Sequence, residues 1–240
     1  MLFKKVKNDK IKPMVKAVFF DLDDTIVNSL PLHLKANQLA FEKFGYDYNS
    51  IQKKVKDIDF MGRRVSDILI IKREASSISE NEMPIKKLVE ARENIFLELV
   101  KKETAMLPGV INLLEKLKEH NTIIAIVSSG TKKYIDTCID KFNFNKYINF
   151  IVSGDQVSKG KPNPECYIKA FQYLNIKYGH FEKSECLVVE DTKNGLIAGH
   201  KAGLKTLLVP SKYSVLPKTI KPDYQIKSLE EFDLKIIVTG

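Results

Sequence analysis

Five short, unbroken apolar runs set the strongest limit on what this chain can fold into. They lie at Ala17–Phe20, Ile123–Val127, Phe150–Val152, 187–189 and 206–209. Between them apolar residues recur at helical spacing, as at Ile111, Leu114 and Leu117 and at Tyr167, Ala170, Phe171 and Leu174. A strand that is apolar along its whole length must be covered on both faces, and a helix after each strand supplies the cover. The pattern therefore predicts an α/β fold, a Rossmann-like parallel sheet with helices on both faces. In such sheets ligands bind beyond the carboxyl ends of the strands. The longest run, Ile123–Val127, is far too short to cross a membrane.

The rhythm breaks between about residues 30 and 104. Segments such as LHLKANQLAF and LVEARENIFL are charged and helical in period, with no convincing strand. A helical insertion just after the first strand would stand over that strand's end as a lid. Pro108-Gly109 marks the loop after which strands resume. The expected organisation is a Rossmann-like catalytic core from 1–28 and 105–240, with an all-helical cap over 29–104.

Composition narrows the functional classes. At 240 residues with 44% hydrophobic content the chain can bury a sizeable core. Its net charge of +9 is carried by scattered lysines, several of them before residue 17. With no arginine stripe, zinc-finger spacing or interleaved aromatics, this reads as a solvated basic surface, and no nucleic-acid partner is expected. Such a surface also helps to steer small anions. Cys138, Cys166 and Cys186 are far apart with no CxxC pair, which argues for reduced, packed residues. The lysine-rich start MLFKKVKNDKIKP lacks the apolar stretch of a secretory signal. A cytoplasmic monomer is the expectation.

The first run flows directly into Asp21, Asp23 and Asp24, within AVFFDLDDT. Carboxylates this close repel one another unless they share a cation or a reacting anion. The other runs lead into complementary groups: Ser128-Ser129-Gly130 after the second, Lys161 in SKGKP after the third, Glu190-Asp191 after the fourth. Two residues apart at a strand end, Asp21 and Asp23 can point to the same side. This inventory suits transfer of a phosphoryl group from a monoester, which needs a nucleophile, a cation, donors for the phosphate oxygens and an acid. Asp21 would be the nucleophile and form an aspartyl-phosphate. Asp23 would protonate the leaving oxygen and then deprotonate water, a role that predicts a raised pKa. Ser128, Ser129 and Lys161 would hold the phosphate. Oxygen ligands from Asp21, the backbone of Asp23, Asp191 and Glu190 suit Mg²⁺.

FDLDDT, VSSG, GKPNP and VVEDTKNG, in this order and with a helical insertion after the first, resemble the four motifs of the haloacid dehalogenase superfamily in its helically capped branch. The resemblance spans residues 16–232 and implies the same site: Asp21 as nucleophile, Asp23 as acid/base, Ser128 and Lys161 on phosphate, Asp191 and Glu190 at the magnesium. An aspartate at Asp23 points to the phosphatases and mutases and away from the dehalogenases. His33 lies where related capped sugar-phosphate enzymes carry a histidine facing the cleft. Met61-Gly62-Arg63-Arg64 is similar to their substrate loop, so that Arg63 or Arg64 would meet a second anionic group or sugar hydroxyls. The implied activity is a Mg²⁺-dependent phosphatase for a small phosphorylated metabolite, with a beta-phosphoglucomutase-like enzyme as the alternative. Against that alternative, Val65 stands where the mutase loop carries an arginine. Asp24 reads as a solvated turn acid, Thr25 as a residue ordering the turn through its hydroxyl, and Lys159 as a bystander to Lys161.

Overall fold

A computed structural model describes residues 15–214 and 220–234; the lysine-rich start lies outside them. In chain order the main elements are β1 (Ala17–Phe20), β2 (Val27–Asn28), α1 (Leu30–Lys43), α2 (Tyr48–Lys54), α3 (Val65–Ala75), α4 (Ile85–Glu103), β3 (Ala105–Met106), α5 (Val110–Glu119), β4 (Ile123–Val127), α6 (Lys132–Phe142), β5 (Phe150–Val152), α7 (Glu165–Tyr178), β6 (Cys186–Glu190), α8 (Lys193–Ala202), β7 (Lys205–Leu208) and β8 (Tyr224–Gln225). The large sheet has the order β5-β4-β1-β6-β7-β8, and every neighbouring pair is parallel.

Full burial of β1 explains its position near the middle of the sheet. Successive side chains point to opposite faces of a strand. Val18 and Phe20 enter the cluster formed with Leu113, Leu114 and Leu117 of α5 and Ile135 and Cys138 of α6. Ala17 and Phe19 enter the other, with Cys166, Tyr167 and Ala170 of α7 and Ala198 of α8. Burying each phenylalanine contributes roughly 1.5–3 kcal/mol, so β1 ties both helical layers to one sheet. The three cysteines are buried and free, as their spacing suggested. No helix among the described residues is long and apolar enough to cross a membrane.

The register fixes the site. Phe20 lies level with Ile126 of β4 and Val189 of β6, so the residues that follow, Asp21, Val127 and Glu190, emerge at one height.

Helices α1 to α4 form the insertion. They pack around their own apolar centre, which includes Phe41, Ile51, Leu69, Met83 and Leu88. Asp47 starts α2 by accepting bonds from the backbone N–H groups of Asn49 and Ser50 at 3.0 and 3.2 Å, the usual service of an N-cap acid. Where the insertion leaves and returns, β2 and β3 pair antiparallel, Val27 against Met106 and Asn28 against Ala105. These two-residue strands and β8 carry no sequence pattern long enough to be read in advance. Other strand bounds differ from expectation by one residue, β6 running Cys186–Glu190 and β7 Lys205–Leu208.

Gly109 opens α5 at φ +81°, and a Cβ there would meet the Glu230 backbone nitrogen at 2.4 Å. Gly45, at φ +82°, has nothing within 4 Å. Gly109→Ala is therefore expected to cost roughly 2–4 kcal/mol of unfolding free energy and Gly45→Ala only about 1 kcal/mol, measured as urea midpoints at constant m.

Candidate active site

Asp21, Glu190 and Asp191 each place one carboxylate oxygen within 4.8 Å of the others, and all three are buried. The register of β1 with β6 produces this convergence. Into it reaches Lys161, from the loop between β5 and α7. Its Nζ donates to Asp21 Oδ1 at 2.5 Å, Glu190 Oε1 at 2.6 Å and the Val127 carbonyl at 3.1 Å. Burial alone would lower the Lys161 pKa, but Asp21 and Glu190 together hold it well above the usual lysine value. Burial also pushes Asp21 well above the ordinary carboxylate range; Lys161 opposes this, and Glu190 and Asp23 add to it.

The two neighbouring acids of β6 differ in their surroundings. Glu190 accepts from Lys161, from Tyr167 Oη at 2.8 Å, and from the Thr192 amide and hydroxyl at 3.2 and 3.0 Å. Gly195 makes room for it, since a Cβ there would fall 1.8 Å from the Glu190 carboxyl carbon. Asp191 has no such support: both carboxylate oxygens are buried without a hydrogen-bond partner among the described residues. Burial raises its pKa strongly, Glu190, Asp21 and Asp24 add to this, and the nearby Ser211 offsets it only slightly, short of hydrogen-bond geometry. Three buried acids against one ammonium, with two oxygens unpartnered, form a donor set that fits a divalent, oxygen-preferring cation.

Asp23 points elsewhere. Its Oδ1 accepts from Ser29 Oγ at 2.5 Å, Tyr134 Oη at 2.8 Å and His33 Nε2 at 2.9 Å, and its Oδ2 lies 3.5 Å from Ser128 Oγ. Arg92 Nη2 stands 2.5 Å from His33 Nδ1. A guanidinium only donates, so Nδ1 is the acceptor and Nε2 carries the proton given to Asp23. Burial and Arg92 lower the His33 pKa, with Asp23 pulling the other way. Burial would raise Asp23, but His33, Ser29 and Tyr134 outweigh it and hold the carboxyl well below its usual range. The expected upward shift is thus overturned: donors crowd this carboxylate, and donors favour the charged form.

Two further expectations fail. Asp24 is buried rather than solvated, at φ 53°, and accepts from the Leu30 amide at 3.1 Å; burial and the Asp23 charge push its pKa up to about 7. The Thr25 hydroxyl orders no turn, being buried without a partner among the described residues. Lys159 remains an exposed bystander.

The insertion closes directly on these groups. Ser129 Oγ donates to the Gly62 carbonyl at 2.8 Å and Asn194 Nδ2 to the Met61 carbonyl at 2.6 Å. A Cβ on Gly62 would lie 2.9 Å from Thr192 Oγ1, so the loop approaches as closely as it does because residue 62 has no side chain. Arg64 is occupied by Asp67, at 2.9 Å through two nitrogens, and by the Val157 carbonyl at 3.0 Å. Arg63 instead lines a cavity of about 320 Å³, together with Lys72 and Arg92 from the insertion and Asp21, Asp23 and Asp191 from the sheet. Tyr134, Tyr167, Arg92 and Lys72 escaped the sequence reading. Arg92 left one trace: it falls between Leu88 and Phe96 at four-residue spacing, on the buried stripe of α4.

A doubly wound parallel sheet with a buried acid cluster and a lysine beyond its carboxyl edge is an α/β enzyme architecture whose site is suited to handling a phosphoryl group. The sequence profile of the haloacid dehalogenase-like hydrolases matches residues 18–209, and the chain belongs to that family. It is 29% identical over 195 residues to a phosphorylated carbohydrates phosphatase of Thermotoga maritima, spanning 80% of this chain and 84% of that one. Over 225 residues it is 22% identical to hexitol phosphatase B of Escherichia coli, 92% and 96% of the two chains. The crystal structure of CbbY from Rhodobacter sphaeroides with phosphate superposes with a TM-score of 0.75 at 22% identity, over 91% of this chain and 96% of that one.

Removing Lys161 leaves Asp21 and Glu190 buried without their shared counter-charge. Lys161→Met is expected to lose about 3–5 kcal/mol of stability, read from urea denaturation in the absence of divalent metal.

Proposed function

We propose that this enzyme is a Mg²⁺-dependent phosphatase that hydrolyses a small phosphorylated metabolite, a sugar or polyol phosphate, through a phosphorylated Asp21. The observation that carries this reading is the buried group Asp21, Glu190 and Asp191 within 4.8 Å, bridged from Asp21 to Glu190 by Lys161. The named activities of the Thermotoga and Escherichia relatives support the substrate class. Mg²⁺ held by Asp21 and Asp191, with Glu190 at its edge and the Asp23 carbonyl beside it, would offset the repulsion between carboxylate and phosphate and polarise the phosphoryl oxygens.

The chain's own groups do the rest. An oxygen of Asp21 bonds to phosphorus as the ester P–O bond breaks, and the bonding pair leaves with the substrate oxygen, which takes the proton carried by the acid form of Asp23. Lys161 and Ser128 would meet the charge on the transferring group. Water then attacks phosphorus and gives a proton to Asp23, releasing inorganic phosphate and restoring the Asp21 carboxylate. Asp23 is ionised in the arrangement described here, as the second step requires. For the first it must turn from His33 and Tyr134, which removes the donors that keep it charged.

A mutase-like reading shares His33 against Asp23 and the helical insertion, while Val65 in place of the mutase arginine weighs against it. Phosphate released from several sugar phosphates is the expected result; conversion of glucose 1-phosphate to its 6-isomer would establish the mutase instead. Asp21→Asn should reduce Mg²⁺-dependent phosphate release from an aryl phosphate by at least about 1,000-fold. Mg²⁺ at about 100 times its Kd should stabilise the wild type by about 2.7 kcal/mol. Asp191→Ala should abolish that shift in a thermal melt.

A further inference from the structure

Among the described residues, the lysine that lines the active-site cavity meets no anion. Lys72, on α3, is only 2% exposed, yet it lines the cavity that contains Asp21 and Asp191. Its Nζ donates to Tyr48 Oη at 2.7 Å and Gln52 Oε1 at 2.5 Å. The rings of Tyr48 and Phe60 lie 4.7 and 5.2 Å from it. Both oxygen partners are neutral, and among the described residues Lys72 forms no ion pair. Burial pushes its pKa down to about 8 with no counter-charge opposing the shift. An ammonium has three donors, and two are used.

A buried ammonium without an anion is costly to hold, and chains seldom keep one that does nothing. The cavity is polarised in a way that gives it a task. Its floor carries Asp21, Asp23 and Asp191, whereas its roof, contributed by the insertion, carries Lys72, Arg63 and Arg92. Arg92 is committed to Asn37 and His33, and the Arg63 Nε to the Asp59 carbonyl. Neither arginine is paired with a carboxylate among the described residues, but Lys72 is the compact ammonium of the three, deeply buried, with one unspent donor and only neutral side-chain partners. A substrate whose transferring phosphoryl group sits at Asp21 directs its other end toward this roof, and about 320 Å³ is the volume of a small-metabolite pocket.

We propose that Lys72, with Gln52 and Arg63 beside it, forms a second anion subsite, so that the preferred substrate carries a phosphate or carboxylate at the end opposite the transferred phosphoryl group. This rests on the phosphatase reading given above and narrows its substrate class to doubly anionic phosphorylated metabolites.

Two matched pairs test it. Ribulose 1,5-bisphosphate is compared with ribulose 5-phosphate, and 6-phosphogluconate with glucose 6-phosphate, so that the arms separate a phosphate from a carboxylate as the second anion. In at least one pair the doubly anionic member should be favoured by about 10- to 100-fold in kcat/KM, the worth of one charge-assisted hydrogen bond, mainly through KM. Lys72→Met should collapse that ratio to about threefold or less, and Lys72→Arg should retain most of it. A lysine that merely staples α2 to α3 would move both members of a pair together and leave the ratio intact. The inference is overturned if neither pair shows the preference in the wild type, a comparison that needs no variant, or if the preference survives in Lys72→Met. Should the wild type release phosphate from none of these compounds nor from an aryl phosphate, the phosphatase reading fails separately. Calorimetric binding of each pair to the wild type and to Lys72→Met then decides the subsite by the same ratios.

Discussion

The contact between Lys161 and the carboxylates of Asp21 and Glu190 is the interaction on which the rest of the site depends. Asp21 follows β1 directly and Glu190 ends β6, two strands that the register brings side by side. Parallel pairing therefore places two acids together in the most buried part of the sheet, where like charges are least tolerable. An ammonium with bonds to both makes that placement possible, and the Tyr167 and Thr192 hydroxyls complete the acceptor needs of Glu190. Glu190 thereby aims Lys161, and Lys161 aims Asp21. Of the three acids, Asp191 is the one left with oxygens that find no partner among the described residues, and the unmet electrostatic demand of the cluster falls on it.

The insertion is coupled to this centre through polar contacts as well as through Leu32, Phe96 and Val100 of α1 and α4, which join the apolar cluster of Val18 and Phe20. Its first and last helices supply His33 and Arg92, which bear on Asp23, while Ser128 and Tyr134, from the loop after β4 and from α6, reach the same carboxylate from the sheet side. The ionisation of Asp23 is consequently a joint property of both parts of the molecule. The paired strands β2 and β3 hold the two ends of the insertion together, so its helices meet the strand ends in a defined place.

Much of this was legible in the sequence because it follows from local rules. Continuous apolar runs gave the parallel strands, and Asp21, Lys161, Glu190 and Asp191 could be gathered because such strands share one carboxyl edge. What escaped depends on contacts between segments distant in sequence. Tyr134 and Tyr167 look like helix core residues, and they are buried as such; only the position of their hydroxyls, on Asp23 and Glu190, gives them a second task. Lys72 follows buried Leu69 by three residues and is flanked by half-buried Ile71 and Arg73, and no periodicity distinguishes a lysine that snorkels outward from one that turns into a cavity. β8 and the two-residue strands were too short to leave a pattern.

The error over Asp23 has a different origin. Its upward shift was inferred from the work the residue is asked to do, yet a pKa reports surroundings: desolvation, nearby charge and the donors within reach. By those measures Asp24, one residue along, is the acid pushed upward, because it is buried beside an ionised neighbour, and the Leu30 amide and the Lys212 charge offset this only in part. Asp23 has an imidazole N–H and two hydroxyls instead. Adjacent carboxylates on one turn are thus driven in opposite directions by where the chain points them. Neither residue type nor spacing carries that information, since one peptide unit exchanges which side chain faces His33 and which faces the Leu30 amide. A carboxylate so firmly solvated by protein donors can act as an acid only after those donors are withdrawn, and His33 belongs to the insertion. In the proposed reaction, protonation of the leaving oxygen would therefore depend on loosening the contacts between insertion and sheet, among them those of Ser129, Asn194 and Arg64.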